Sequence, residues 1–369
     1  RIAFDEFTGV PVISELDHHS WRPLSDGDVI ALRVRLEENV FRSVSGQMIA
    51  DALQGIYRDV RVDTAMLWSE SLPCWDGVQR IRGFFPTYFN AEDTPYAQAM
   101  GSYVWTALAA RLLVPGSKTD MTPVLVGPQG SLKSTAIKAM CPNPEAFGEL
   151  DFADSEDNRK RSLRGKLVVE LSELAGMNRR DAEGLKKFMV ATFDSWVPKY
   201  LEFEVRYQRR CLFIGSSNRD DFLRDETGHR RFLPLRVGKA DVAAIESDCA
   251  QLWAEGIAFY RQEGIQFVEA ERLARAEHAE FERHAPLAER VEHLLKSATF
   301  SDGGGRMWDQ PFIKIGDLMH LMNVNPGDMD RKAPEFIAAL RRLGYVSQQR
   351  RYVKGEPPFR AWVRQEGKC

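Results

Sequence analysis

The hydrophobic pattern of the 369-residue chain changes twice along its length. Up to about residue 95, apolar side chains recur at helical spacing, as they do from Val44 to Ile56. Between residues 96 and 285, helical stretches alternate with apolar runs of strand length. These runs are Thr122–Val126, Lys166–Val169 and Cys211–Gly215. The alternation predicts a parallel sheet covered by helices, whose ligands bind beyond the carboxyl ends of the strands.

From residue 286 the pattern changes again, to three helix candidates followed by two strand-like runs. The helix candidates lie at Leu287–Ala298, Ile315–Met322 and Ala333–Leu343, and the runs are Tyr345–Val353 and Phe359–Val363. Helices followed by a hairpin outline a winged helix-turn-helix. We therefore predict an α/β protein with an N-terminal helical region (1–95), a parallel-sheet core (96–285) and a C-terminal winged-helix module (286–369).

Composition narrows the class of protein. The net charge is −3, and the five cysteines are scattered without a Cys-x-x-Cys pair, which is typical of a reducing compartment. No apolar run is long enough to span a membrane, so we expect a cytoplasmic protein. Residues 331–368 contain ten Lys or Arg and three acids, a balance of +7 that points to a polyanionic partner.

A phosphate-binding loop follows the first apolar run. The segment Gly127–Thr135 reads Gly-Pro-Gln-Gly-Ser-Leu-Lys-Ser-Thr and precedes a helix. Strand, tight turn and helix N-terminus are the setting that a P-loop needs, because backbone N–H groups and the helix dipole then face the phosphates. The predicted ATP-binding residues are Gly127, Gln129, Gly130, Ser131, Lys133, Ser134 and Thr135, with Lys133 at the β- and γ-phosphates and Ser134 on Mg²⁺.

One position departs from the P-loop pattern. Leu132 stands directly before the lysine, where the pattern has glycine. If the backbone there has a positive φ, leucine costs about 1–2 kcal/mol. We expect such strain to affect nucleotide binding or hydrolysis more than the fold.

Polar residues that suit hydrolysis follow the other two apolar runs. Glu170 ends the second run and is predicted as the carboxylate that holds Mg²⁺, with Glu173 polarising the attacking water; the sequence also allows the reverse assignment of the two roles. Asn218 follows the third run and offers a neutral amide to the γ-phosphate or the water. Arg230 and Arg231 precede a further strand and are candidates for an arginine finger that acts on ATP in a neighbouring subunit.

These motifs, in this order, resemble the virulence-associated protein E family. The resemblance covers residues 70–260 and includes Glu170-Leu-Ser-Glu173, Leu185-Lys-Lys-Phe188 and Phe222-Leu-x-Asp-x-Thr-Gly-x-Arg-Arg-Phe232. That family is similar to superfamily 3 helicases, which are AAA+-like ATPases of phages and mobile elements. The resemblance implies a homo-oligomeric ring, usually a hexamer, and a primase domain or partner. It also implies that Arg230 or Arg231 is the arginine finger.

The resemblance also places a DNA-contacting hairpin between Glu170 and Asn218. Lys199 and Tyr200 are the expected tip and Arg206 a further cation, since a pore that follows one strand needs cations for phosphates and a ring for stacking. In the C-terminal module, duplex DNA contacts are expected from Arg341, Arg342, Arg350, Arg351 and Lys354. The alternative is a module that packs on the ATPase and does not contact DNA.

The function that combines these features is an ATP- and Mg²⁺-dependent DNA helicase or translocase, acting in replication of a phage or mobile element in a bacterial cytoplasm. Two alternatives are open from sequence. One is a replication initiator or scaffold that binds ATP with little hydrolysis, which Leu132 favours. The other is a monomeric P-loop enzyme such as a kinase, which needs neither an arginine finger nor a basic C-terminal module.

Overall fold

The structure of the chain is a computed structural model, and it divides into two compact units, Arg1–Glu277 and His278–Cys369. The structure describes residues 1–14, 20–39, 41, 43–150, 154–172, 184–185, 187–197, 202–218, 231–274, 287–297, 312–343, 345–350 and 359–364.

Thirteen strands lie within these residues. They are β1 (Ile2–Asp5), β2 (Pro11–Ile13), β3 (Arg22–Pro23), β4 (Arg61–Val62), β5 (Thr122–Val126), β6 (Phe147–Glu149), β7 (Val168–Leu171), β8 (Phe193–Trp196), β9 (Val205–Gln208), β10 (Leu212–Ser217), β11 (Phe232–Arg236), β12 (Tyr345–Arg350) and β13 (Phe359–Arg364).

The structure also describes eleven α-helices in the two units. They are α1 (Asp26–Asn39), α2 (Gly46–Asp59), α3 (Thr64–Glu70), α4 (Phe84–Phe89), α5 (Pro95–Leu113), α6 (Lys133–Ala139), α7 (Glu156–Ser162), α8 (Val242–Glu263), α9 (Leu287–Ser297), α10 (Ile315–Leu321) and α11 (Met329–Arg342).

The centre of the first unit is a five-stranded parallel sheet in the order β11-β5-β10-β7-β6. All residues of β5, β7 and β10 are buried, as expected for parallel strands covered on both faces. The three apolar runs of the sequence are therefore three neighbouring strands, with β10 in the middle. The mixed α/β class and the parallel sheet are confirmed.

Helices α5 and α8 pack together beside this sheet. Thr94 caps α5 by accepting a hydrogen bond from Ala97, and Pro95 occupies its first turn. Most of α5 is buried on all sides, which identifies it as a core helix. The Trp105 and Trp253 rings meet edge to face, with centroids 5.8 Å apart, and join α5 to α8.

The N-terminal region contains a sheet that the helical prediction missed. Strands β3, β2, β1 and β4 form a mixed four-stranded sheet, in which β1 pairs antiparallel with β2 and parallel with β4. Two of these strands have only two residues, so alternation of polar and apolar side chains gives no usable signal. The predicted helix around Val44–Ile56 is present as α2, with Ser45 as its N-cap.

The second unit has the succession of elements expected from its sequence. Helices α9, α10 and α11 are followed by β12 and β13, which pair antiparallel from Tyr345↔Arg364 to Arg350↔Phe359. Its own core includes Val291, Leu340 and Trp362, all almost fully buried. An isolated bridge joins Ile313 to Trp362.

Candidate nucleotide-binding site

The predicted phosphate loop connects β5 to α6 at the carboxyl edge of the parallel sheet. Gly127 is required there by close approach, because a Cβ at this position would lie 2.5 Å from the Val237 carbonyl oxygen. Gly130 has φ +82°, a conformation that favours glycine. These two glycines let the backbone turn tightly between strand and helix, which leaves Gln129 and Gly130 exposed at the surface.

Leu132 adopts the left-handed conformation that the P-loop pattern reserves for glycine. Its φ is +62° and its ψ is +24°, directly before the first residue of α6. Among the described residues, the other non-glycine positions with positive φ are Asn90 and Asn323, and asparagine tolerates this conformation better. The Leu132 side chain is 42% exposed, so packing compensates little for the strain.

Lys133 begins α6 and folds back over the loop. Its Nζ donates to the carbonyl oxygens of Gly127 (2.8 Å) and Pro128 (3.0 Å), and it contacts Ser131 Oγ at 3.1 Å. It also donates to Asn218 Oδ1 at 3.0 Å. The side chain is 7% exposed, and burial lowers the pKa of Lys133, an effect that the nearby Glu170 carboxylate opposes. The ammonium is thus fully hydrogen-bonded by the protein at the place where an incoming phosphate would contact it.

A carboxylate and a hydroxyl lie beside the lysine. The Ser134 hydroxyl donates to Glu170 Oε1 at 2.7 Å, while Glu170 Oε2 is buried and has no hydrogen-bond partner. Burial raises the pKa of Glu170; the neighbouring Ser216 and Ser134 hydroxyls oppose the rise. A buried carboxylate oxygen that accepts no hydrogen bond is suited to bind a metal ion, because the ion takes the place of the missing hydrogen-bond donor.

The strand order explains why these residues meet. β10 lies between β5 and β7, so Asn218, directly after β10, falls between the loop and Glu170. The backbone N–H of Gly127 donates to the Ser217 carbonyl at 3.1 Å and ties the loop to the end of β10. Adjacent parallel strands thus bring together Lys133, Ser134, Glu170 and Asn218, four residues predicted for one site.

Two residues near the site were not found from the sequence. Glu149 ends the edge strand β6 in register with Glu170, and its charge contributes to the raised pKa of Glu170. The three-residue strand that carries it has no recognisable pattern. Ser216 precedes the predicted Asn218 by two residues, and the Gly-Ser-Ser-Asn segment was the available signal.

The other predicted residues of the loop lie at its surface or beneath it. Ser134 and Thr135 are exposed in the first turn of α6, whereas Ser131 is buried and donates its hydroxyl hydrogen to the Pro128 carbonyl at 2.8 Å. Ser134 and Thr135 therefore lie at a solvent-exposed helix N-terminus, where anions are favoured.

Arg231 lies at the opposite edge of the sheet. It directly precedes β11, whose first residue, Phe232, pairs with Thr122 at the start of β5. The five residues of β5, roughly 16 Å of strand, separate Thr122 from the phosphate loop. Arg231 is therefore far from the loop of its own chain. Arg230 and Glu173 lie outside the described residues.

An antiparallel hairpin occupies the interval between Glu170 and Asn218. β8 pairs with β9 from Phe193↔Gln208 to Trp196↔Val205, and Arg206 lies on β9 with its guanidinium 3.5 Å from the centroid of the Phe193 ring. Lys199 and Tyr200 belong by sequence to the connection between the strands, outside the described residues. Phe203, in the same connection, is 81% exposed.

The basic residues predicted in the second unit fall partly outside the described residues. Arg341 and Arg342 end α11 and Arg350 ends β12, but the structure describes only their backbone. Arg351 and Lys354 lie between β12 and β13, outside the described residues. Their predicted contacts with DNA stay predictions.

Fold and site together define a mixed α/β protein with a lysine loop, a carboxylate and an amide gathered at the carboxyl edge of a parallel sheet. The chain belongs to the virulence-associated protein E-like family, whose domain model matches residues 70–285. The family resemblance in the sequence is thereby confirmed. Among curated proteins, no sequence matches the chain.

Solved structures with the same fold include the apo C-terminal region of NrS-1. One such structure is 13% identical, with a TM-score of 0.51, and the match covers 99% of this chain and 96% of that one. An A form of the same region is 15% identical over 99% and 96% of the two chains, with a TM-score of 0.47. The first of these two matches shows a likeness of fold alone. In the parts of the chain that the structure describes, no helix is both long and apolar enough to cross a membrane.

Proposed function

We propose that the chain is an ATP- and Mg²⁺-dependent DNA helicase or translocase that acts in the replication of a phage or mobile element. The observation that carries the proposal is the convergence of Lys133, Ser134, Glu170 and Asn218 at one sheet edge. Membership of the virulence-associated protein E-like family supports the mobile-element setting. We expect it to work in the cytoplasm of a bacterial host, together with a primase domain or partner.

The residues present fit a magnesium–triphosphate ligand. Lys133 and the loop N–H groups would hold the phosphates, with Gln129 and Thr135 at the rim. Ser134 and Glu170 would hold Mg²⁺, since the unpartnered Oε2 of Glu170 offers a buried anionic ligand. Bound Mg²⁺ would neutralise phosphate charge and polarise the bond that is cleaved.

The protein groups have separable roles in this proposal. Lys133 exchanges its bonds to the Gly127 and Pro128 carbonyls for bonds to phosphate oxygens, which is inexpensive because both states are fully hydrogen-bonded. Asn218, released from Lys133, is free to orient water or a phosphate oxygen without adding negative charge. Glu173 is proposed to polarise the water.

Ring assembly would complete the site. Arg231 lies at the edge of the sheet opposite the phosphate loop, and Arg230 precedes it in the sequence. An arginine there reaches nucleotide most simply in a neighbouring subunit, where guanidinium charge stabilises the transition state. This supports a homo-oligomeric ring, a hexamer by family resemblance, with ATP at the interfaces.

DNA contact is proposed for two regions. The β8–β9 hairpin carries Arg206 and is proposed to present Lys199 and Tyr200 to a single strand in the ring pore. The helices and hairpin of the second unit support a winged-helix module for duplex DNA. The alternative for that unit is a packing module that does not bind DNA.

A second candidate function is favoured by one observation. The strained φ of +62° at Leu132 suits a replication initiator or scaffold that binds ATP with little hydrolysis and uses the nucleotide to set assembly. A monomeric P-loop enzyme such as a kinase is the remaining alternative, and no further feature of the described residues favours it.

The decisive test is ATPase activity with and without single-stranded DNA, on protein whose mass is measured by light scattering. The helicase proposal predicts a ring-sized particle whose ATP turnover rises when DNA is added. An initiator would form the particle and bind ATP with negligible turnover, whereas a kinase would be monomeric and indifferent to DNA.

Lys133→Ala provides the site-specific arm of this experiment. Loss of a buried, fully hydrogen-bonded ammonium from a phosphate site should reduce turnover by on the order of 10²–10³-fold. Lys138→Ala is the matched control, since Lys138 is an exposed lysine of the same helix. Equal turnover in the two variants would remove the assigned site.

A further inference from the structure

A second cationic cavity lies in the first unit, at the amino edge of the parallel sheet. Its volume is about 310 Å³. It lies between the N-terminal sheet, the turn that leads from α7 to β7, and the β8–β9 hairpin. A space of this size is at the lower end of ligand-binding pockets. The phosphate loop lies at the other edge of the same sheet, so the two sites are separate.

Positive side chains outnumber acids around this cavity by six to three. Most of the cations have an acid partner. The ion pairs are Arg61–Glu6, Lys160–Glu156, Arg209–Asp194 and Arg210–Asp63. Among the described residues, Arg164 and Arg206 line the cavity without an ion pair. The cavity therefore carries two uncompensated guanidinium charges.

Arg164 is the more confined of the two. Its Nε and Nη2 are buried and have no hydrogen-bond partner. The guanidinium carbon lies 3.0 Å from the centroid of the Tyr207 ring, and it fills the space beside Gly9, where a Cβ would lie 1.7 Å from it. The side chain is thus fixed between a ring and a glycine backbone.

Nearby acids do not pair with Arg164. Burial lowers the pKa of Arg164 to about 9, and Asp5 and Glu6 oppose this shift only in part. The Asp5 carboxylate instead accepts hydrogen bonds from the backbone and hydroxyl groups of Thr8 and Thr64. A guanidinium that only joined two parts of the fold would be expected to bond to carbonyl or carboxylate oxygens, because an unpaired buried charge is costly.

We infer that this cavity binds a phosphate group, with Arg164 and Arg206 as its principal cationic contacts. A phosphate in the cavity would supply the anionic partner that Arg164 lacks, and a guanidinium held in place by a ring loses little freedom when it binds one. Arg206 is exposed on β9 and adds charge from the hairpin side. The phosphate can come from a free phosphate-bearing small molecule or from the backbone of a single DNA strand.

The test is thermal unfolding of the full chain that carries Lys133→Ala, the background protein, so that the phosphate loop does not contribute to phosphate binding. The result can then be interpreted even if the ATPase proposal fails. Inorganic phosphate, compared with chloride of equal ionic strength, should raise Tm by roughly 2–4 °C near saturation. Arg164→Met should abolish this rise. Without phosphate its Tm should equal or exceed that of the background protein, because an unpaired buried charge has been removed.

Two further variants keep the test decisive. Arg206→Ala changes an exposed residue and should weaken the phosphate response at least tenfold in concentration, even if Arg164→Met fails to fold. Arg58→Met, at an arginine of α2 that is 80% exposed, should respond like the background protein. If an oligothymidylate competes with inorganic phosphate, the phosphate that binds the cavity comes from DNA. If it does not compete, the phosphate comes from a small molecule. No response in the background, or an unchanged response in both cavity variants, would overturn the inference.

Discussion

The two edges of the parallel sheet differ in the hydrogen bonding of a cationic side chain. At the carboxyl edge, Lys133 has its hydrogen bonds satisfied by its own loop and by Asn218. At the amino edge, two nitrogens of Arg164 have no partner. Burial lowers the pKa of both groups. The two cations therefore differ in how their hydrogen bonds are satisfied.

The contrast follows from the side chains. A lysine ammonium on a flexible stem can fold back onto nearby carbonyls and later leave them, whereas a stacked guanidinium stays in place. The carboxyl edge is thus suited to exchange of a ligand during a reaction cycle. The amino edge is suited to a resident anion that compensates a fixed charge.

The largest expected effect concerns the two arginines that precede β11 in the sequence. Changing Arg230 and Arg231 together to alanine should lower ATP hydrolysis by about 10³–10⁵-fold and leave ATP affinity nearly unchanged, because a finger acts on the transition state. Steady-state ATPase and equilibrium binding measure the two quantities separately. Weakened binding to the same degree as hydrolysis would contradict the assignment.

Subunit mixing sharpens the same prediction. Glu170→Gln subunits keep their arginines but lose the magnesium carboxylate, so rings that contain both variants should regain part of the activity. The rescue should depend on the mixing ratio. If no ratio restores turnover, the arginines do not act across a subunit interface.

An intermediate effect is expected at Glu170. Glu170→Gln should reduce hydrolysis by on the order of 10²-fold through loss of a metal ligand. Because burial raises the pKa of Glu170 from 4.5, Mg²⁺-dependent ATP binding should weaken on acidification at a higher pH than an ordinary carboxylate would cause. Magnesium titrations at a series of pH values measure this shift, and Glu170→Gln should show none of it.

The raised pKa of Glu170 also affects the stability of the protein without Mg²⁺, and here acidification is favourable. The folded protein without Mg²⁺ holds the Glu170 proton more tightly than the unfolded chain does. This contribution to stability is fully present below the unfolded pKa and is lost as pH rises through the folded pKa. Urea unfolding without Mg²⁺ should therefore show a decline with pH that Glu170→Gln lacks.

The smallest predicted effect is at Leu132. Leu132→Gly should relieve the positive φ and raise the free energy of unfolding by about 0.5–1 kcal/mol, after the greater unfolded-state freedom of glycine is counted. Leu132→Asn should fall between the two, since asparagine tolerates this conformation. We also expect higher ATP affinity or kcat in the glycine variant. A neutral or harmful result in both assays would mean that the loop has adapted to leucine.

The carboxyl-edge site was largely predictable because its signals are local. Lys133 and Ser134 follow glycines at fixed spacing, and Glu170 and Asn218 each end a buried apolar run, so a parallel sheet necessarily brings them to one edge. Glu149 was not predictable, since it ends a three-residue strand. The N-terminal sheet was missed for the same reason.

The amino-edge cavity could not be found from sequence. Arg164, Tyr207 and Gly9 are far apart in the chain and belong to no shared motif; only the packing of the hairpin and the N-terminal sheet brings them together. Which arginine lacks an acid partner is likewise a property of the folded chain. Arg206 was predicted as a cation for DNA, but its neighbours were not.

The central claim is that the loop before Lys133 holds a triphosphate beside the carboxylate that holds its magnesium. Calorimetric titration of the protein with Mg·ATP at low salt, in monomeric and assembled fractions, tests it most directly. We expect saturable binding of one nucleotide per chain that Lys133→Ala abolishes and Lys138→Ala preserves. Absence of binding in both fractions, or full binding by Lys133→Ala, would contradict the account.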